Sequence, residues 1–200
     1  MYPRWLAVTA AAYVVFHHLG LIDGGLGPGP SDTQWIDWFD LVVPFLVLGP
    51  AAATLQAAGA GARTWLVFGI GAVTYATGHG VHLAANSVGN AAPGPTEHLW
   101  DEVVGHYIWY TGVALVVVAL AMTMSGRPRP PLVGYAVAAL TGLTWATNAV
   151  GGGTEAFSLV LALAAAAYGW RSRADLRAVL AIAGGVATIT LIGTLLLSGP

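Results

Sequence analysis

The chain has 200 residues, of which 56% are hydrophobic and only 8% charged, with a formal net charge of −2. A chain this apolar cannot hide its side chains in one water-soluble core, so a bilayer is its expected solvent. Its dispersed arginines form no basic face, which argues against nucleic acid as a partner. The absence of cysteine excludes disulfides, iron–sulfur clusters and thiolate metal sites.

Seven apolar runs follow one another at roughly 4–22, 36–59, 63–89, 98–125, 132–150, 155–170 and 176–197. A run of about 18 or more such residues spans the roughly 30 Å hydrocarbon layer as a helix. The prediction is therefore an all-α, polytopic membrane protein with seven transmembrane helices in one domain, 1–200. The first run follows Arg4 as a signal peptide would, but Leu21-Ile22-Asp23 is no small-residue cleavage pattern, so it is expected to remain as a helix. In the second run Pro44 and Pro50 predict a kink. The breaks between runs carry turn chemistry, such as Asp23-Gly24-Gly25, Gly59-Ala60-Gly61, Gly126 through Pro131 and Gly151-Gly152-Gly153. Small residues at Gly69/Gly71, Gly134/Ala138/Gly142 and Gly184/Gly185 are expected to let helices pack closely.

With seven spans, Arg4, Arg63, Arg127, Arg129, Arg171, Arg173 and Arg177 fall on one side, and there is no lysine. The positive-inside rule makes that side cytoplasmic, with the N-terminus inside and the C-terminus outside. Asp23, Asp32, Asp37, Asp40, Glu97, Asp101, Glu102 and Glu155 map to the outer side, and only Asp175 to the inner. The expected location is a prokaryotic plasma membrane, with the site facing the extracytoplasmic side.

The third run places Tyr75, His79, His82 and Asn86 at i, i+4, i+7 and i+11, within about 60° on one helical face. In the fourth, His98, Glu102, His106 and Trp109 repeat the arrangement, with Asp101 on the flank. In the first, Tyr13 and His17 share a face, and His18 points about 100° away. At 1.5 Å per residue, His17, His79, His82, Glu102 and His106 all fall roughly 6–16 Å below the outer helix ends. Ionisable groups at such depth face the bundle interior and mark function.

Imidazole and carboxylate without thiolate suit zinc, or alternatively iron or manganese. His17, His79, His82 and His106 are the candidate metal ligands. Glu102 and Asp101 are the candidate acid/base groups, and Tyr75 or Asn86 would steady an oxyanion. Asp101, Asp40 and Asn86 could also orient imidazole N–H groups. A proton-relay cluster without metal, and a single haem held between two histidines, are the alternatives. A retinal Schiff base is excluded by the absence of lysine.

The stretch Gly78-His79-Gly80-Val81-His82 through Leu99-Trp100-Asp101-Glu102 resembles the alkaline ceramidase and adiponectin-receptor superfamily, seven-helix intramembrane zinc hydrolases that cleave lipid amides. The resemblance implies that His82 ligates zinc and that Asp101 is the acid/base partner of the zinc water. The chain departs from that family in having no histidine after His106, where the family takes an i, i+4 pair from its last helix. The expected function is a metal-dependent membrane enzyme acting on a lipid or isoprenoid, most concretely a zinc hydrolase of an amide or ester. The alternatives are a metal-free acid/base isomerase or cyclase of an isoprenoid, and a non-enzymatic subunit binding haem, metal or lipid. Beyond membrane lipids and such a substrate, no partner or oligomeric state is predicted.

Overall fold

In the computed structural model of the chain, residues 1–18, 26–172 and 174–197 are described. Asp23 and Arg173, placed above on opposite sides of the membrane, lie outside these residues. The order of helices is α1 (Tyr2–Phe16), α2 (Trp35–Asp40), α3 (Val43–Ala58), α4 (Ala62–Ala91), α5 (Pro95–His98), α6 (His106–Ala121), α7 (Leu132–Gly151), α8 (Glu155–Arg171) and α9 (Ala178–Leu197). A seven-residue π-helical stretch, Leu99–Gly105, joins α5 to α6 without a break. The described residues are helical with no strand, as the composition predicts. Three helical segments, Trp35–Ala58, Pro95–Ala121 and Ala178–Leu197, are long and apolar enough to cross a membrane. Large apolar side chains including Leu66, Val73, Val160 and Ile189 point outward, a surface that lipid solvates better than water.

Local chemistry sets the helix ends. Where Pro44 and Pro50 predict a kink, the helix breaks at Leu41-Val42, just before Pro44, where α2 ends and α3 begins. Pro44 then occupies the first turn of α3, where its missing N–H costs nothing, while Pro50 stays inside that helix. The C-terminus of α3 closes on Gly59 in the left-handed region, φ 67°. Ala60 N–H donates back to the Leu55 carbonyl at 3.0 Å and Gly59 N–H to that of Gln56 at 3.0 Å, a Schellman closure. Gln34 N–H donates to the Asp37 carboxylate at 2.9 Å, so this acid caps α2.

Three loops and the N-terminus of α1 gather at one end of the bundle. Tyr2 Oη lies 3.1 Å from Thr123 Oγ1, Arg127 donates to the Ala58 carbonyl at 3.3 Å, and Leu176 N–H donates to the Arg127 carbonyl at 3.0 Å. Asp175 accepts from Gly126 N–H there at 3.0 Å and pairs with Arg177 at 2.7 Å. The closest packing joins α4 to α6, α8 to α9, α7 to α9 and α1 to α3.

The α4–α6 seam is built from glycines seven residues apart. A methyl on Gly71 would lie 2.8 Å from Leu115 Cβ, and one on Gly78 2.6 Å from Trp109 Cα. From the other side, a methyl on Gly105 would lie 2.9 Å from His82 N, and one on Gly112 would strike the Tyr75 backbone. Only hydrogen fits at these positions, so the two backbones touch. Of the small residues singled out from the sequence, Gly71, Gly142 and Gly184 meet a neighbouring helix in this way, whereas Gly69 and Gly185 face open space.

Candidate functional site

The glycine seam presses Tyr75, His79 and His82 of α4 against Trp109 and His106 of α6. His17 approaches from the end of α1. The Trp109 ring becomes the hub, with ring centroids 4.5 Å from His79, 5.4 Å from His82, 5.5 Å from His17 and 5.8 Å from His106. His17, His79, Asp101 and His106 are buried, and His79 is only 1% exposed. All four histidines predicted as ligands are thus brought into one layer.

Each ring has a specific anchor. His17 Nδ1–H donates to the Tyr13 carbonyl at 3.0 Å, and its Nε2 accepts from the Tyr75 hydroxyl at 2.9 Å. His79 Nε2–H donates to the Asp40 carbonyl at 3.0 Å, with the Asp40 carboxylate at 3.4 Å. That carbonyl closes α2, where the helix dipole favours a donor. His106 Nδ1–H donates to the Glu102 carbonyl at 3.0 Å, and the Glu102 carboxylate lies 3.5 Å away. His82 Nδ1 lies 2.5 Å from Asp101 Oδ1 as a close ion-pair contact, and neither atom makes a well-aligned hydrogen bond. The His82 and His106 rings are 4.5 Å apart.

The π stretch decides which carboxylate enters. In an α-helix, residues five apart diverge by about 140°. In a π-helix the bonding is i→i+5, which brings such a pair onto one face. Asp101 and His106 are such a pair, and both are 5% exposed. The Glu102 side chain, expected from its i, i+4 spacing to share the face of His106, is 41% exposed instead. Its carbonyl, rather than its carboxylate, makes the closer contact to that ring.

Other predicted residues stand further out. Among the described residues, Asn86 hydrogen-bonds to none of the four histidines; it is half-buried, one turn beyond His82. His98 is exposed near the end of α5, and His18 Nδ1 bonds back to the Val14 carbonyl at 2.6 Å. The sequence reading missed Tyr110, whose ring stacks on His106 at 5.6 Å and whose hydroxyl donates to the Asn148 carbonyl at 2.7 Å. Its position next to Trp109 and one turn after His106 was the available signal. Gly152 was missed as well: a methyl there would lie 3.0 Å from the His106 ring, so the α7–α8 loop backs that imidazole.

A metal would need ring lone pairs, and the four imidazoles differ in what they keep. His17 uses both ring nitrogens in hydrogen bonds and keeps none. His82 and His106 each keep Nε2, and His79 Nδ1 is buried without a partner. Among the described residues, no group of three histidine, aspartate or glutamate side chains is arranged to hold an ion. Three imidazole nitrogens of the right chemistry are therefore present near one another, but not as a finished cage.

Compared with family models, with curated proteins and with solved structures, the chain finds no significant match.

Proposed function

We propose that this chain is an integral membrane enzyme that moves a proton on a lipid or isoprenoid, with the His82–Asp101 pair as its acid/base centre. The observation that carries this reading is the 2.5 Å approach of His82 Nδ1 to Asp101 Oδ1, made at depth in the bundle. We read the chain as crossing the bilayer seven times with its arginines cytoplasmic, which turns this centre toward the outer leaflet.

In this mechanism Asp101 fixes the tautomer of His82, keeping the proton on Nδ1 and leaving the Nε2 lone pair as base. His106 is held in the same tautomer by the Glu102 carbonyl. One imidazole removes a proton from one carbon of the substrate, and the neighbouring imidazolium returns a proton at another. The net reaction is a double-bond shift that needs no co-reactant, and positioned acid/base groups contribute about 10²–10⁴-fold to such a step. Trp109 and the buried tyrosines surround the pair with apolar surface during each turnover, and the imidazole protons exchange with solvent between turnovers, so the returned proton carries the solvent's label.

The test does not require the substrate to be identified in advance. Cells producing the wild-type protein or Asp101→Asn are grown in deuterated water, and their lipid extracts are compared by chromatography and mass spectrometry. A lipid whose deuterium content and retention depend on the wild type supports the reading. Identical extracts would sink it.

A second reading, the zinc hydrolase, is favoured by the unpartnered Nδ1 of buried His79. His79, His82 and His106 would hold the ion, and zinc would supply Lewis-acid activation of water there. Elemental analysis of purified wild type beside His79→Ala and His106→Ala separates the two readings. One equivalent of zinc lost in both variants selects the hydrolase, and a metal-free active protein selects proton transfer.

A further inference from the structure

An apolar cavity of about 810 Å³ lies between α1 and α6 on one side and α7, α8 and α9 on the other. It falls within the size range of small-molecule sites, about 300–1,000 Å³. Its lining is polarised. At one end stand Arg4, Arg127 and Arg129, and among the described residues no carboxylate lines the cavity. At the other end stand Tyr13, Tyr75 and Tyr110. Along α1 the lining runs from Tyr2 to Tyr13, about 16 Å at 1.5 Å per residue. Arg127 is fixed in place, with its guanidinium 3.8 Å above the Tyr2 ring and its Nε donating to the Thr123 carbonyl at 2.6 Å.

We infer that this cavity is a binding site for a single-chain anionic amphiphile, an acyl or prenyl chain ending in a carboxylate or phosphate. Three guanidinium groups around one mouth suit an anionic head, because arginine binds carboxylate and phosphate through paired N–H donors. The apolar wall beyond takes the chain. The chain end meets the three tyrosines, and each of these touches the imidazole layer. Tyr13 packs on His17 with ring centroids 4.4 Å apart, Tyr75 bonds His17, and Tyr110 stacks on His106. The site goes beyond the proton-transfer reading and stands without it, since binding requires no turnover.

The experiment is equilibrium binding of radiolabelled farnesyl phosphate, palmitate and farnesol to the protein in a neutral detergent. At least one anion should bind about tenfold or more tightly than farnesol, and the tighter of the two identifies the chain type. Arg4→Gln should erase most of that preference. The Arg4 side chain is exposed and makes none of the described hydrogen bonds or ion pairs, so its loss leaves the fold intact. Val117→Trp, which narrows the cavity, should weaken all three ligands; Ala114→Leu serves the same purpose if the tryptophan variant is not monodisperse. Asp101→Asn should bind as wild type, which separates this site from the fate of the acid/base centre. Equal affinity for farnesol and both anions, or unchanged binding in the narrowed variant, would overturn the assignment.

Discussion

Gly78 of α4 rests against the backbone of Trp109 on α6, so close that a methyl group on Gly78 would lie 2.7 Å from the carbonyl carbon of Ile108. This contact sets the distance between the helices that carry His79, His82 and His106. Gly78→Ala should therefore push the helices apart, at a cost of about 1–3 kcal/mol for an overpacked interface, and take the acid/base activity with it. Gly69→Ala is the matched control. It faces open space on the same helix and should leave stability unchanged or raise it by up to about 1 kcal/mol through helix propensity. Thermal unfolding of both variants in detergent measures the difference.

The two carboxylates beside the cluster should respond unequally. Asp101→Asn removes the charge opposite His82 inside the bundle, where a lost partner costs about 1–3 kcal/mol. Lipid deuteration should fall about 10²–10⁴-fold. Glu102→Gln keeps the backbone carbonyl that holds His106 and removes only a half-exposed charge. Its effect should stay within about fivefold, the range of exposed pairs. Equal losses in both variants would mean that the π stretch does not select the carboxylate.

Much of this arrangement is legible in the sequence, for definite physical reasons. Apolar runs bounded by glycine and proline mark the helices because both residues act locally. The 3.6-residue period puts Tyr75, His79 and His82 on one face, because α4 is a regular helix there. Two things are not legible. Gly78, Gly105 and Gly112 look like the chain's many other glycines until a partner helix lies against them. The π stretch buries the Asp101 carboxylate and leaves that of Glu102 half-exposed, and no local propensity in Leu99-Trp100-Asp101-Glu102 announces it. Asp40 is legible only as a nearby acid; that its carbonyl receives His79 depends on where α2 ends.

At the arginine-rich end, the hydrogen bonds from Arg177, and then those from the Gly126 and Arg177 N–H groups, hold the Asp175 carboxyl well below the usual carboxylate range. A lowered folded value means that this stabilisation is complete above the unfolded value of about 3.9. It is lost as pH falls through the folded one. The stability gap between wild type and Asp175→Asn should therefore stay constant from neutral pH down to about 4 and close below that. Salt should shrink the gap at neutral pH, because the pair is partly open to water. A gap that instead closes on raising the pH would refute the assignment. Thermal unfolding of both proteins across the acid range measures it.

The π-helical stretch can be tested by removing a single residue. Deleting Val104 gives the chain the means to run as continuous α-helix from Pro95 to Ala121, and α-helix is the lower-energy state for an isolated segment. Asp101 would then stand four residues before His106, about 40° away round an α-helix, and so stays on the face that meets His82. The helix stays apolar and long enough to insert, so the variant should be produced as a monodisperse membrane protein. Its acid/base activity should persist, and adding Asp101→Asn to the deletion should cause the full loss that this substitution causes alone. A deletion variant as inactive as Asp101→Asn would show that sharing a face with His106 is not enough to bring Asp101 to His82.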